Sequence, residues 1–164
     1  MIVLGTVLLV LAITGVCSFI YIHRLPHYKG AGIALFYKGD RGYEVLLGRR
    51  KYNPGIYKWS IPGGGFERYD RSLLDTAKRE FTEELSYPFD KINTTLVKNY
   101  KIKLPHFTWH TYCYLIHEKE DFTKRYISEF SLLRYIPLDE LKNYKLNTFV
   151  KSEVNSFKKV MKVS

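Results

Sequence analysis

The chain has 164 residues, 46% of them hydrophobic and 26% charged, and carries a formal net charge of +10. Its length is that of one domain with one substantial core, its hydrophobic share excludes a disordered chain, and its two cysteines, Cys17 and Cys113, exclude a disulfide framework. The surplus of Lys and Arg favours anionic partners: nucleotide phosphates, nucleic acid or acidic lipid heads.

From Ile2 to Ile22 the 21 residues carry no charge, and at about 1.5 Å of helix each they give roughly the 30 Å of a bilayer core. A transmembrane anchor over 1–22 is expected. A cleaved signal peptide would want Lys or Arg before the apolar run and a clear Ala-x-Ala-like site, and a buried core helix would want a polar face; neither feature is present. Arg24, Lys29, Lys38, Arg41, Arg49 and Arg50 follow the span and none precedes it. The positive-inside rule therefore expects a single-pass membrane protein with its carboxyl-terminal domain in the cytoplasm, and acidic lipid heads account for much of the charge. Residues 23–29, with His23, Arg24, Leu25, Pro26 and His27, read as a connector to a domain over 30–164.

The domain opens with a strand from Ala31 to Tyr37, a turn at Gly39-Asp40-Arg41-Gly42 and a return strand from Tyr43 to Leu47. Trp59 to Ile61 is a short strand ending in Pro62-Gly63-Gly64-Gly65, a turn whose bare backbone lets a metal or phosphate come close. Ser72 with Asp75 resembles a capping box, and Leu74, Ala77, Phe81 and Leu85 form a helical apolar stripe. That helix crowds Glu80, Glu83 and Glu84 onto one turn, which costs a few tenths of a kcal/mol per like-charged pair and so points to a cation, Mg²⁺ or Mn²⁺. A solvated acidic face is the plainer reading and leaves the glycines unexplained. Strands follow at Leu96 to Leu104 and Phe107 to Ile116, around Pro105, and at Ser131 to Ile136; Val150, Val154, Phe157 and Met161 then repeat at helical spacing.

Arg79-Glu80-Phe81-x-Glu83-Glu84, ending at Tyr87 and preceded by Trp59 and the Pro-Gly-Gly turn, resembles the signature of the Nudix hydrolases. The family box runs Gly, five residues, Glu, seven residues, Arg-Glu, an apolar residue, any residue, Glu-Glu, any residue, Gly and an apolar residue. Two departures stand out. With Gly64 as the box glycine, Asp70 replaces the first Glu and Arg71 is an extra residue; with Gly65, the spacing is regular but Arg71 replaces the Glu. The Gly64 register is preferred, because Glu67 and Ser72 then fall where the family has Glu and Ser, and Asp70 can pair with Arg79. Ser86 stands where the family has Gly, a position that favours left-handed backbone, with Pro88 just beyond.

The resemblance implies an α/β fold, a Nudix-like α/β/α sandwich with a mixed sheet, here preceded by one transmembrane helix. It implies metal-assisted hydrolysis of a diphosphate linkage in a nucleoside diphosphate joined to another group. Gly63, Glu80, Glu83 and Glu84 would hold the metal; Glu83, Glu80 and Arg79 are the catalytic set, with Arg79 orienting carboxylates. Arg49 and Arg50 stand where relatives often put cationic groups near the diphosphate, Lys58 reads equally as part of a solvated basic loop, and Glu129, where many relatives place a further acidic residue, reads as a fourth ligand or as a lone exposed Glu. Tyr57, Phe107 and Trp109 could stack on a base or belong to the core, and His106 and His110 are too few and too separated for zinc. The partners expected are a small nucleotide substrate and the membrane, with no protein partner inferred. The rival reading is a membrane-tethered binding or regulatory module of the same fold with weak or no catalysis; a third is an exported enzyme freed by signal cleavage.

Overall fold

The structure, a computed structural model, describes residues 26–122 and 128–163 together with the isolated Thr14. The strands are β1 (Tyr28–Gly39), β2 (Gly42–Arg50), β3 (Trp59–Ser60), β4 (Gly63–Gly65), β5 (Thr94–Leu104), β6 (Phe107–Ile116) and β7 (Phe130–Pro137). The helices are α1 (Leu73–Leu85) and α2 (Val150–Met161), with single 3-10 turns at Phe89–Lys91 and Glu140–Asn143. The strands join in one sheet of order β3-β2-β1-β6-β5, with β4 on β1 and β7 on β2.

The sheet is mixed, because β1 runs parallel to β6 while its other neighbours are antiparallel. Along that second edge β1 pairs first with β4, through Gly30↔Gly65 to Gly32↔Gly63, and then with β2, through Phe36↔Val45 to Gly39↔Gly42. The three glycines expected as a free turn are therefore held as a strand. Likewise Tyr28 and Lys29, expected in the connector, are the first residues of β1. The strand starts early because Tyr28 pairs with Phe107, at the beginning of β6.

Alternation along the strands sends residues to two cores. Ala31, Ile33 and Leu35 pack with Leu46, Tyr112 and Tyr114 under Ala77, Phe81 and Leu85 of α1. Ala34 and Phe36 pack with Val45, Leu47 and Cys113 under Val150, Val154 and Phe157 of α2. The rings of Phe36 and Phe157 stack with centroids 3.6 Å apart. The result is the α/β/α sandwich that the resemblance implies.

Helix α1 begins as its sequence requires, with the Ser72 hydroxyl accepting the Asp75 N–H at 3.1 Å. It ends at Ser86, in the left-handed region at φ 50°, ψ 38°, a conformation that costs a residue with a Cβ on the order of 1 kcal/mol. Apart from Thr14, the expected anchor over 1–22 lies outside the described residues. Among those that are described, no helix is long and apolar enough to cross a membrane.

Candidate active site

The site forms where β4 meets α1. Residues four apart on a helix share a face, so Glu80 and Glu84 lie on one stripe of α1, and Arg79 and Glu83 on the next. The Gly63 N–H donates to Glu84 Oε2 at 2.9 Å. A Cβ on Gly64 would meet the Glu80 carboxylate, which would have to leave its place beside Arg79 to make room. Glu84 is 3% exposed, and burial pushes its carboxyl up to about 9, against the Gly63 N–H and with the negative charges of Glu129 and Glu80 adding to the rise. Burial also raises Glu80, with Arg79 opposing it.

Arg79 ties this stripe to the loop that precedes the helix. Its Nε and Nη2 donate to the two oxygens of Asp70, each at 3.1 Å, and Nη2 also donates to the Gly65 carbonyl at 2.9 Å. Its Nη1 donates to Glu80 Oε1 at 2.9 Å and to Glu83 Oε2 at 3.0 Å, and lies 3.8 Å from Glu67. Asp70 is buried and also accepts the Thr76 hydroxyl and the Glu67 N–H, both at 2.9 Å. The Arg79 guanidinium holds the Asp70 carboxyl below its usual value, with burial opposing and the other two donors assisting. Asp70 thus pairs with Arg79, as the Gly64 register expects, and Arg71 is exposed.

A cavity of about 650 Å³ runs past this cluster, walled by Glu80, Glu84, Glu129, Arg50, Trp109 and Glu153, with Gly63 also facing it. Glu129 sits just before β7, and its Oε2 accepts from Arg50 Nη2 at 3.1 Å. The two expected phosphate-binding arginines part company, because neighbours on a strand face opposite ways. Arg50 lines the cavity, whereas Arg49 lies outside it, with its guanidinium 5.2 Å from the Tyr57 ring centroid.

The three box glutamates part in the same way. Glu83 has a side chain 55% exposed and turned to Arg79, while Glu80 and Glu84 face the cavity. Among the described residues no group of three His, Cys, Asp or Glu side chains stands in metal-binding geometry. The chemistry of the donors nevertheless fits a hard cation. Glu80, Glu84 and Glu129 offer oxygen only, as Mg²⁺ prefers, and two of them are carboxyls whose ionisation burial opposes and a bound cation would favour. His106 lies in the hairpin between β5 and β6, and the His110 ring contacts Tyr112, so neither joins this cluster.

The family model of the NUDIX domain matches residues 26–157. The chain belongs to the Nudix family. Solved structures agree on the fold. The NUDIX domain of Shewanella oneidensis NrtR, complexed with ADP ribose, is 19% identical with a TM-score of 0.62, over 84% of this chain and 90% of that one. The C. elegans Ap4A hydrolase binary complex is 16% identical with a TM-score of 0.64, over 82% of this chain and 97% of that one. The Nudix hydrolase RenU of M. smegmatis is 16% identical with a TM-score of 0.64, over 84% and 87%. No curated protein matches the sequence.

Two residues at or beside the cavity escape a reading of the box. Gly30 is one, since a Cβ there would meet the Trp109 ring at 2.8 Å and the Gly64 carbonyl at 2.6 Å. Glu153 is the other, and it carried a signal: it stands three residues after Val150 and one before Val154, a charge at a core-facing position of the closing helix.

Proposed function

We propose that the chain hydrolyses a diphosphate linkage in a nucleoside diphosphate joined to another group, with Mg²⁺ or Mn²⁺ as cofactor. The observation that carries this reading is one cavity lined by two carboxylates whose ionisation burial opposes, Glu80 and Glu84, together with Glu129, Arg50 and the Gly63–Gly65 backbone. A divalent ion held by Glu80, Glu84 and Glu129 would neutralise phosphate charge and polarise the attacked phosphorus. Arg50 grips phosphate oxygens through its guanidinium, and its bond to Glu129 sets the direction of that grip. Arg79 fixes Glu80 through Nη1 and fixes β4 through the Gly65 carbonyl, so it orients and does not react. A carboxylate of the cluster, Glu129 or Glu80, takes the proton of the attacking water. Glu83 supports the site from its bond to Arg79.

The test is hydrolysis by the full chain of ADP-ribose, Ap4A, nucleotide sugars and nucleoside triphosphates, with Mg²⁺ and with a chelator. Turnover of at least one diphosphate compound, lost on chelation, is expected. A chain that binds these compounds and cleaves none would overturn the reading.

We propose further that the chain is a single-pass membrane protein with this domain in the cytoplasm. The support is the charge-free run from Ile2 to Ile22, with the basic residues Arg24 and Lys29 just beyond it. The full-length protein should then stay in the membrane fraction through high salt and alkali and come off only in detergent. A cysteine reporter added at the carboxyl terminus should react with an impermeant reagent only after permeabilisation. Labelling of intact cells would reverse the orientation.

A further inference from the structure

We infer that the face of the sheet carrying Lys29, Lys101 and Lys103, at the hairpin end of β5 and β6, docks on a membrane surface of acidic lipid headgroups. This rests on the membrane reading above for its setting and names the surface that meets the lipid. Residues paired directly across neighbouring strands put their side chains on one face. Lys29 of β1 pairs with Thr108 of β6, and Thr108 with Lys103 of β5, so two lysines stand in one row across three strands. The next row on that face is Ala31, His110 and Lys101. All three lysines are exposed. Strand geometry puts their Cα atoms within roughly 12 Å of one another, little more than a Debye length of about 10 Å, so the charges repel. No carboxylate relieves them, since none of the three has a salt bridge among the described residues. Burial, with the charge of Lys101 assisting, pushes the His110 imidazole below its usual value and leaves it neutral at pH 7. Tyr28, Phe107 and Trp109, of opposite parity on the same strands, line the cavity, so the lysines lie on the other face.

Such a cluster favours an anionic surface, and its surroundings select lipid. The hairpin that carries Lys103 ends in Leu104 and Pro105, both exposed, with Leu104 at 52%. An apolar tip among cations suits an interface where acidic headgroups cover acyl chains, and it gains nothing from a nucleic-acid backbone. Strand β5 is an edge of the sheet, so no further strand covers the row. The chain also enters here. The Tyr28 N–H donates to the His106 carbonyl at 2.9 Å, which fixes the start of β1 to the hairpin. Tyr28 follows the charge-free run that ends at Ile22 by six residues, and six residues reach at most about 20 Å. A run seated in a bilayer therefore brings this end of the sheet to the headgroups.

The experiment is footprinting of the full chain with an impermeant amine reagent, read lysine by lysine by mass spectrometry, on vesicles of phosphatidylcholine with and without phosphatidylserine. Lys142 and Lys151, exposed beside α2, are the internal controls. One lysine at an anionic surface is worth about a fivefold factor in partition, so Lys29, Lys101 and Lys103 together should react about tenfold or more slowly on the anionic vesicles, with the controls unchanged. In K101E/K103E, two exposed positions, Lys29 should return to its rate on neutral vesicles. Half-molar salt should restore the wild-type rates too, so the result does not hang on the variant. Equal rates on the two vesicles, or slowing that falls on the controls as much, would overturn the inference. So would protection of the three lysines by a single-stranded RNA oligonucleotide and by neither vesicle, which gives the face to nucleic acid. Alkali extraction of the same vesicles separates the two claims. Slowing on anionic vesicles in a chain that alkali strips off sinks the anchor alone, and an alkali-resistant chain whose lysines react alike on both sinks this inference alone.

Discussion

Glu84→Gln is expected to lower kcat/KM for the best diphosphate substrate by roughly a thousandfold, because a metal-held carboxylate carries several kcal/mol of transition-state stabilisation. The folded chain should tolerate the change. Without a cation the Glu84 carboxyl titrates near 9, so at neutral pH it is already protonated and a glutamine amide reproduces its shape. The linkage gives a second readout. A carboxyl raised in the folded state costs nothing below its unfolded value of 4.5, a growing amount as pH rises, and its full amount above about 9. In chelator, Tm should therefore fall from pH 5 to pH 9, and Glu84→Gln should flatten that slope, leaving the smaller part due to Glu153, which has the same sign. Mg²⁺ should raise the wild-type Tm more at pH 9 than at pH 6, and raise that of Glu84→Gln much less. Glu83→Gln should cost far less activity, since it removes one of several Arg79 contacts from an exposed side chain. Equal losses at Glu83 and Glu84 would return Glu83 to the ligand set that the sequence alone expects.

The difference between those glutamates shows which parts of the site the sequence made legible. Spacing placed Glu80, Glu83 and Glu84 on one helix and Ala77, Phe81 and Leu85 on its core face, and α1 has both features. Spacing could not say which stripe of carboxylates faces the cavity, because that depends on how α1 is rotated against β4. The same limit divides Arg49 from Arg50, where strand parity was readable but the outward face was not. Strands β5 to β7 were legible from β-branched and aromatic runs between turns. The Gly63–Gly65 strand was not, since nothing in three glycines specifies a partner, and β1 supplies it. Glu153 was passed over because a helical stripe is read by its apolar members. A charged residue inside the stripe gains meaning once Thr111 is found bonded to it.

Asp70→Asn is the second change expected to have a large effect, and it tests how the altered box works. The Asp70 carboxylate accepts from Arg79 Nε, Arg79 Nη2, the Thr76 hydroxyl and the Glu67 N–H, and it is almost fully buried. An asparagine keeps one acceptor oxygen, turns the other into a donor facing a guanidinium, and removes the charge that Arg79 is paired with. Breaking one side of a buried pair costs about 3–5 kcal/mol, so Tm should drop by several degrees, and activity should fall because Arg79 no longer holds Glu80 and β4 in register. The pH dependence has the opposite sign to that of Glu84. The Asp70 carboxyl is lowered in the folded state, so its contribution is present above the unfolded value of 3.8 and is lost as pH falls through the folded value. Asp70→Asn should accordingly remove part of the acid limb of the stability profile. Arg71→Ala should be close to neutral, because the inserted residue is exposed just ahead of the Ser72 cap. Glu67→Gln should cost less than Asp70→Asn, since Glu67 reaches Arg79 only at 3.8 Å with a side chain half exposed. If Glu67→Gln were the more damaging change in both activity and Tm, Glu67 and not Asp70 would be the acid that holds Arg79.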